Sequence, residues 1–415
     1  MNIDGGRLRA DIEANAGYGA IESGTGRGRT ALTGTDANRG CRDRLVERME
    51  AAGLDVRIDA VGNVAGRWEP PSADPDLAPV ATGSHLDSVP EGGIFDGPLG
   101  VYAALEAVRA MQDAGVEPAR PIEVVSFTEE EGQRFGGGML GSAVATGGRS
   151  VESALALEDD AGESLEEALE AIGYRGDGRL DASEWDAWLE LHVEQDTTLE
   201  AAGVPVGIVT TITGIAHYTA VVEGEANHAG ATAMDERRDA LVAAGEVVRD
   251  VERAAKEVVA TDSPTAVATV GRLEVSPNAT NVVPGRVDLG IDVRDVRRES
   301  MDALEGRLER SLARVARDRE VDTSLETELD VDPVRMSDRV REVAHRAAET
   351  AGIDAMDLPS GAAHDTMHVA GVTDAALLFA PSRDGISHSP DEWTDWEDCA
   401  TATTVLAEAV ADLAT

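Results

Sequence analysis

His85 stands two residues before Asp87 in the segment Gly83-Ser84-His85-Leu86-Asp87-Ser88, a spacing that suits metal ligation. One ring nitrogen can bind an ion while the carboxylate orients the ring through the other. Taken alone, such a pair reads more often as a structural hydrogen bond. Soon after it comes Gly92–Gly100, whose glycines let the backbone wrap closely around Asp96, a carboxylate able to bridge two ions. Glu129-Glu130-Glu131-Gly132 follows the apolar run Ile122–Phe127. In an acidic chain three glutamates also read as a solvated helix start. Directly after a buried strand, one can bind metal while its neighbour acts as general base on an attacking water. Leu191-His192-Val193-Glu194-Gln195 supplies a second histidine, and Gly385-Ile386-Ser387-His388-Ser389-Pro390-Asp391-Glu392 a third. This donor set suits a pair of divalent ions ~3.5–4 Å apart sharing one carboxylate. Its chemistry admits Zn, Mn, Co or Ni. Of the 8 histidines, His228 and His364 also lie in motif-like contexts, His217 sits in a strand-like run, and His345 and His368 read as ordinary.

The elements that must position these residues share one pattern: an apolar run, a polar or glycine-rich turn, then a helix. Pro79–Gly83 leads into the His85 turn and a helix over Gly100–Gln112. Trp188–Val193 ends at His192, and Ala375–Phe379 leads into the His388 loop. Strands alternating with helices predict a mixed, mostly parallel sheet with its chemistry at the carboxyl ends of the strands. From Gly214 the pattern changes to β-α-β-β-α-β. Strand-like runs at Ala216–Gly224, Thr265–Val275 and Val287–Val293 alternate with helices over Asp235–Ala260 and Ser300–Asp318, with Leu241, Val242, Val248 and Val251 as apolar positions of the first. This predicts an α/β catalytic domain over 1–213 and 330–415, carrying the two-metal site, and an inserted α+β ferredoxin-like domain over 214–329.

Composition narrows the function classes. Thirty-six basic residues against 79 acidic ones give a net charge of −43, and Lys256 is the only lysine. The acids are spread through every segment, which reads as a solvated surface suited to high salt, with an acidic partner-binding face as the alternative. At molar salt the Debye length is only ~3 Å, short enough to screen most of the self-repulsion. No basic stripe points to nucleic acid. No apolar run is long enough to span a membrane, and no signal sequence is apparent. Cys41 and Cys399 cannot form a disulfide framework, so a cytoplasmic protein is expected.

These motifs resemble the M20-type metallopeptidase and amidase superfamily, most closely its hydantoinase/carbamoylase branch. Further matching segments are Asn227-His228-Ala229-Gly230 and Ser360-Gly361-Ala362-Ala363-His364-Asp365. The resemblance implies hydrolysis of an N-carbamoyl-L-amino acid, with allantoate as the rival substrate and a peptidase activity less favoured. It implies a homodimer acting on a small molecule that bears a carboxylate, with two divalent ions per subunit. It makes His85, Asp96, Glu130, His192 and His388 the metal ligands, Asp96 bridging, with Glu129 as general base and Asp87 as the partner of His85. His228 resembles a group that steadies the oxyanion, and Asn281 and Arg294 a pair gripping the substrate carboxylate. Gln195, Gly361, Ala362 and His364 resemble pocket-lining residues. From its own context Arg294 reads either as that clamp or as an ion pair with Asp292 or Asp295. Asp196, Ala231, Ala233 and Ala363 depart from the family pattern, and Asp196 and Ala363 put the pocket's shape, not the ligand set, in question.

Overall fold

The computed structural model describes residues 1–21 and 26–415. It divides into two compact units, Met1–Thr210 with Arg335–Thr415, and Thr211–Val334. The short segments flanking the expected 214–329 insertion thus group with the inserted unit.

Among the described residues, the first unit is built on a nine-stranded sheet. At its centre lie four parallel strands in the order Asp374–Ala380, Ala187–Val193, Val80–His85 and Ile122–Phe127. Antiparallel strands flank them, Val64–Trp68 and Asp55–Ile58 on one side and Val206–Ile212 on the other. Every residue of the three inner strands Ala187–Val193, Val80–His85 and Ile122–Phe127 is buried. Strands covered on both faces read as largely apolar runs, here interrupted by buried polar residues such as Glu123, Ser126 and Glu190, which is why these were visible in the sequence. The helix Pro98–Ala114 begins with Pro98 in its first turn and ends at Gly115 in the left-handed conformation. Its residues 98–111 are all buried. The helix start therefore holds the Asp96 loop rigidly against the sheet.

The second unit follows β-α-β-β-α-β. Its sheet runs Val267–Ser276, Arg286–Asp295, Gly214–Glu223, Asp322–Val331, all antiparallel. Gly214–Glu223 alternates buried and partly exposed residues along its length, as a sheet covered on one face requires. The covering helices are Ala240–Thr261 and Arg298–Arg319. They contribute Val247, Val251, Val258, Leu304, Leu308 and Leu312 to a core shared with Tyr218, Val222, Val287 and Leu289. The first of these helices starts later than the sequence suggests, because the Asp239 carboxylate caps it by accepting from Leu241 N and Val242 N. Leu241 and Val242 consequently face solvent, and the buried stripe is Ala240, Ala243, Ala244, Val247 and Val251. Among the described residues no helix is long and apolar enough to cross a membrane.

Candidate metal centre

Four adjacent parallel strands deliver the central residues. His85 ends its strand opposite Phe127, and His192 lies in register with Phe379. The glutamate run leaves the end of Ile122–Phe127, and His388 lies in the loop beyond Asp374–Ala380. The expected position at the carboxyl ends of the strands is therefore where these groups meet.

Asp96 is the hub. His85 Nε2 lies 3.5 Å and His192 Nε2 3.2 Å from Asp96 Oδ1. His388 Nε2 lies 3.4 Å from Oδ2. In His85 and His192 the other nitrogen, Nδ1, faces a backbone carbonyl, that of Asp87 at 3.2 Å and of Val193 at 3.1 Å. A ring that donates Nδ1–H to a carbonyl presents a lone pair at Nε2. Two lone pairs aimed at one carboxylate repel unless a proton or a metal ion lies between them. The residues fit a pair of cations. His85, Asp96 and His192 form one group of donor atoms within 4.8 Å of one another, and Asp96, Glu131 and His388 form a second. Asp96 belongs to both groups, as a bridging carboxylate must. A third group, Glu190, His192 and His364, is as close, but the Glu190 oxygens already accept from Ser84 Oγ at 2.7 Å and Thr366 Oγ1 at 2.6 Å.

The electrostatics agree. Burial opposes ionisation of Asp96, but hydrogen bonds from His192, His388 and His85 hold it well below the usual carboxylate range. Burial likewise opposes a charge on His192, yet Asp96 raises that ring to about 9. Asp96 also raises His388. Burial drives Glu130 and Glu131 well above the usual range, reinforced by Asp365 for the first and by Asp96 for the second. Such a crowd of buried acids calls for cations to offset it.

The glutamate run is where geometry and the motif-based expectation part. It forms a loop, not a helix start. Glu129 has φ 56°, and its carboxylate turns away from the histidines to accept from Arg134 N at 2.6 Å and Phe135 N at 2.8 Å. Both of those donors are backbone groups of the following turn, so Glu129 braces the loop. Glu130 Oε2 lies 3.8 Å from His85 Nε2, and Glu131 Oε2 3.5 Å from His388 Nε2. Glu130 and Glu131 are thus the members of the run that lie beside the histidines, while the Glu129 carboxylate is engaged by the following turn. A signal existed, since all three acids are in one motif, but sequence spacing cannot say which of three neighbours turns inward.

Asp87 sits beside His85, with Oδ1 3.7 Å from His85 Nδ1 and without a hydrogen-bond partner, while Oδ2 accepts from Glu131 N at 3.1 Å. Gln195, at φ 62°, donates through Nε2 to Asp96 Oδ2 at 3.2 Å and Ser387 Oγ at 3.1 Å. Its Oε1 is buried without a partner. His364 packs edge-on against His192 with ring centroids 4.6 Å apart, and burial together with the neighbouring histidine pushes its pKa well down. Gly361 and Ala362 form the turn just before it, where Ala362 N donates to Ser360 Oγ at 3.2 Å. Glu392 was not singled out in the sequence. It is buried, and its Oε1 accepts from both Phe95 N and Asp96 N at 3.0 Å. A side chain on Gly93 would collide with it.

In the second unit, His228 is exposed at the end of the two-stranded ribbon Asn227–His228 and Val282–Val283. Its Nδ1 accepts from Gly230 N at 3.0 Å, and Ala229 N donates to Asn281 O at 2.9 Å. His228 and Asn281 are therefore neighbours in space. Arg294 donates through Nε to Asp292 Oδ1 and Oδ2, both at 3.1 Å, the ion pair read as its alternative. His217 Nε2 meets the same Asp292 at 2.9 Å.

A two-unit α/β chain with this cluster of histidines and carboxylates at its strand ends defines a class of metal-dependent hydrolases. The chain belongs to peptidase family M20/M25/M40, which it matches over residues 81–412. It is 41% identical to the N-carbamoyl-L-amino acid amidohydrolase of Geobacillus stearothermophilus over 99% of both chains. It is 34% identical to the allantoate amidohydrolase of Bacillus subtilis over 92% of this chain and 91% of that one. Among solved structures it resembles an amidase of the hydantoinase/carbamoylase family from Burkholderia multivorans, with a TM-score of 0.93 and 37% identity over 100% of this chain and 98% of the other.

Proposed function

We propose that this chain is an amidohydrolase that cleaves the ureido C–N bond of N-carbamoyl-L-amino acids, yielding the amino acid, ammonia and carbon dioxide. One observation carries the reading: three imidazole nitrogens stand within 3.5 Å of the single carboxylate Asp96, with Glu130 and Glu131 beside them. The sequence similarity to an N-carbamoyl-L-amino acid amidohydrolase over nearly the whole chain supports it.

Two divalent ions per subunit, Zn, Mn, Co or Ni, are held by His85, His192 and Asp96 on one side and by Asp96, Glu131 and His388 on the other. Bound there, such ions would supply the Lewis-acid chemistry that activates a water and polarises the scissile carbonyl. Glu130 takes the proton of the attacking water and returns it to the departing nitrogen. Gln195 and Ser387 hold Asp96 by donating to Oδ2, the oxygen that does not face His85 and His192. In the inserted ferredoxin-like domain, His228 serves the oxyanion, and Asn281 and Arg294 serve the substrate carboxylate, with the enzyme a homodimer. Cys41 and Cys399 are both buried free thiols, in keeping with a cytoplasmic setting.

The deciding experiment measures ammonia release from N-carbamoyl-L-amino acids, allantoate and dipeptides with Mn²⁺ or Zn²⁺ added in high salt. Faster turnover of the carbamoyl substrates is expected, and inactivity on both ureido classes would sink the assignment. Arg294→Lys is expected to raise KM for carboxylate substrates about 10–100-fold, the worth of one charged hydrogen-bonded contact. An unchanged KM would leave Arg294 with a structural role in its ion pair with Asp292. The surface reading makes a separate prediction. With a net charge of −43, the Tm should rise by several degrees between 0.1 M and ~2 M KCl as screening relieves self-repulsion. A Tm independent of salt would contradict a high-salt adaptation.

A further inference from the structure

Arg29 lies in the short strand Gly28–Arg29, 56 residues before His85 in the sequence, and is fully buried. A buried guanidinium normally faces a carboxylate. This one does not. Nη1 donates to Leu86 O at 2.9 Å, and Nη2 to Asp87 O at 3.2 Å and Asp96 O at 3.4 Å. Nε donates to Gly93 O at 3.3 Å, and the remaining Nη1 proton faces Cys41 Sγ at 3.7 Å. The backbone N–H of Arg29 adds a further bond to Gly92 O at 3.0 Å. All five side-chain donors are thereby used, four of them on main-chain carbonyls. Those carbonyls come from two separate stretches, the turn after His85 and the loop that ends at Asp96.

We propose that Arg29 is a positioning residue of the metal centre, whose planar guanidinium ties the His85 turn to the Asp96 loop and sets the spacing of those two donors. The inference rests on the metal centre proposed above. The physical case lies in the shape of the group. Both stretches are loops without a ladder to hold them; Asp87 O also faces His85 Nδ1, but the carbonyls of Leu86, Gly93 and Asp96 take their donors from Arg29. A flat fork with fixed donor directions locks four of them in one plane. A lysine in the same place keeps the charge but offers three donors from one point, so it cannot span both stretches. Arg29 hydrogen-bonds none of the proposed donor atoms; it reaches the residues that carry them through their backbone, while its charge also favours the ionised Glu131 carboxylate.

The test compares Arg29→Lys and Arg29→Met with the parent as metal-free proteins, titrated with Mn²⁺ by calorimetry and by the metal-induced rise in Tm. Arg29→Lys should stay folded and bind Mn²⁺ about 10–100-fold more weakly, the usual penalty for losing a group that orients metal ligands. Arg109→Lys is the control. Arg109 is also buried, but it pairs with Asp11 at 2.7 Å, so this change should lower the Tm and leave the Mn²⁺ affinity alone. An unchanged Mn²⁺ affinity in either folded Arg29 variant overturns the proposal. Equal weakening in Arg109→Lys overturns it too, by showing a general softening of the core. If neither Arg29 variant folds, Arg29 is a core residue first and the proposal fails. A parent that binds no Mn²⁺ or Zn²⁺ would instead overturn the metal centre itself.

Discussion

Replacing Glu130 by glutamine is expected to lower kcat by ~10²–10⁴-fold, the contribution of a general base, with metal content unchanged. Three neighbouring acids invite confusion, so the informative comparison is among them. Glu129→Gln should keep most of its activity. Its carboxylate accepts two backbone N–H groups of the Arg134 turn, and a glutamine oxygen can still accept there. Glu131→Gln should instead reduce the bound metal, because Glu131 stands among the donors with Asp96 and His388. The measurement is steady-state kinetics alongside metal analysis of each purified variant. A Glu129→Gln enzyme that loses activity while Glu130→Gln retains it would return the base to the position expected from the motif.

The second large effect falls on Asp96. Asp96→Asn should abolish binding of the metal pair and reduce activity by ~10³-fold or more, consistent with several kcal/mol of metal-derived stabilisation. An amide is neutral and offers one ligating oxygen in place of two, so it cannot bridge two cations well. In the parent, metal at 100 times its Kd should stabilise the fold by ~2.7 kcal/mol, a rise in Tm that the variant should lack. A pH dependence follows with a definite sign. The Asp96 carboxylate raises His192 to about 9, so in the metal-free protein this ring carries a proton through neutral pH. A cation must displace that proton, and metal affinity should therefore climb as pH rises toward about 9. In Asp96→Asn the His192 ring loses the partner that held its proton, so any residual affinity should depend less on pH. Calorimetry at several pH values, in buffers of different ionisation enthalpy, reads the released proton directly. Metal affinity that falls with rising pH would contradict this account of the site.

Much of this molecule was legible in the residues. Ile122–Phe127 has the same bounds in sequence and structure, because a strand buried on both faces is mostly apolar, with its one buried acid, Glu123, paired to Arg57 and Arg67. The change of pattern near Gly214 marks a second unit for a similar reason. A sheet covered on one face alternates along its strands, and its helices carry a single buried stripe. His85, Asp96, His192 and His388 were identifiable because imidazole and carboxylate at strand ends have few other uses.

What the sequence could not decide was direction. Glu129, Glu130 and Glu131 are chemically identical neighbours, and the positive φ of Glu129 together with the hydrogen bonds of the Arg134 turn selects which carboxylates face the histidines. Periodicity placed a helix near residue 240, but the Asp239 cap chose its first turn and so left Leu241 and Val242 in solvent. Glu392 and Arg29 gave no local signal, because their partners Asp96 and Leu86 lie 296 and 57 residues away in the chain. The sequence by itself determined which chemical groups are available and which segments are buried. Only the tertiary structure decided which atoms of those groups converge, since convergence depends on backbone angles and on contacts between segments far apart in the chain.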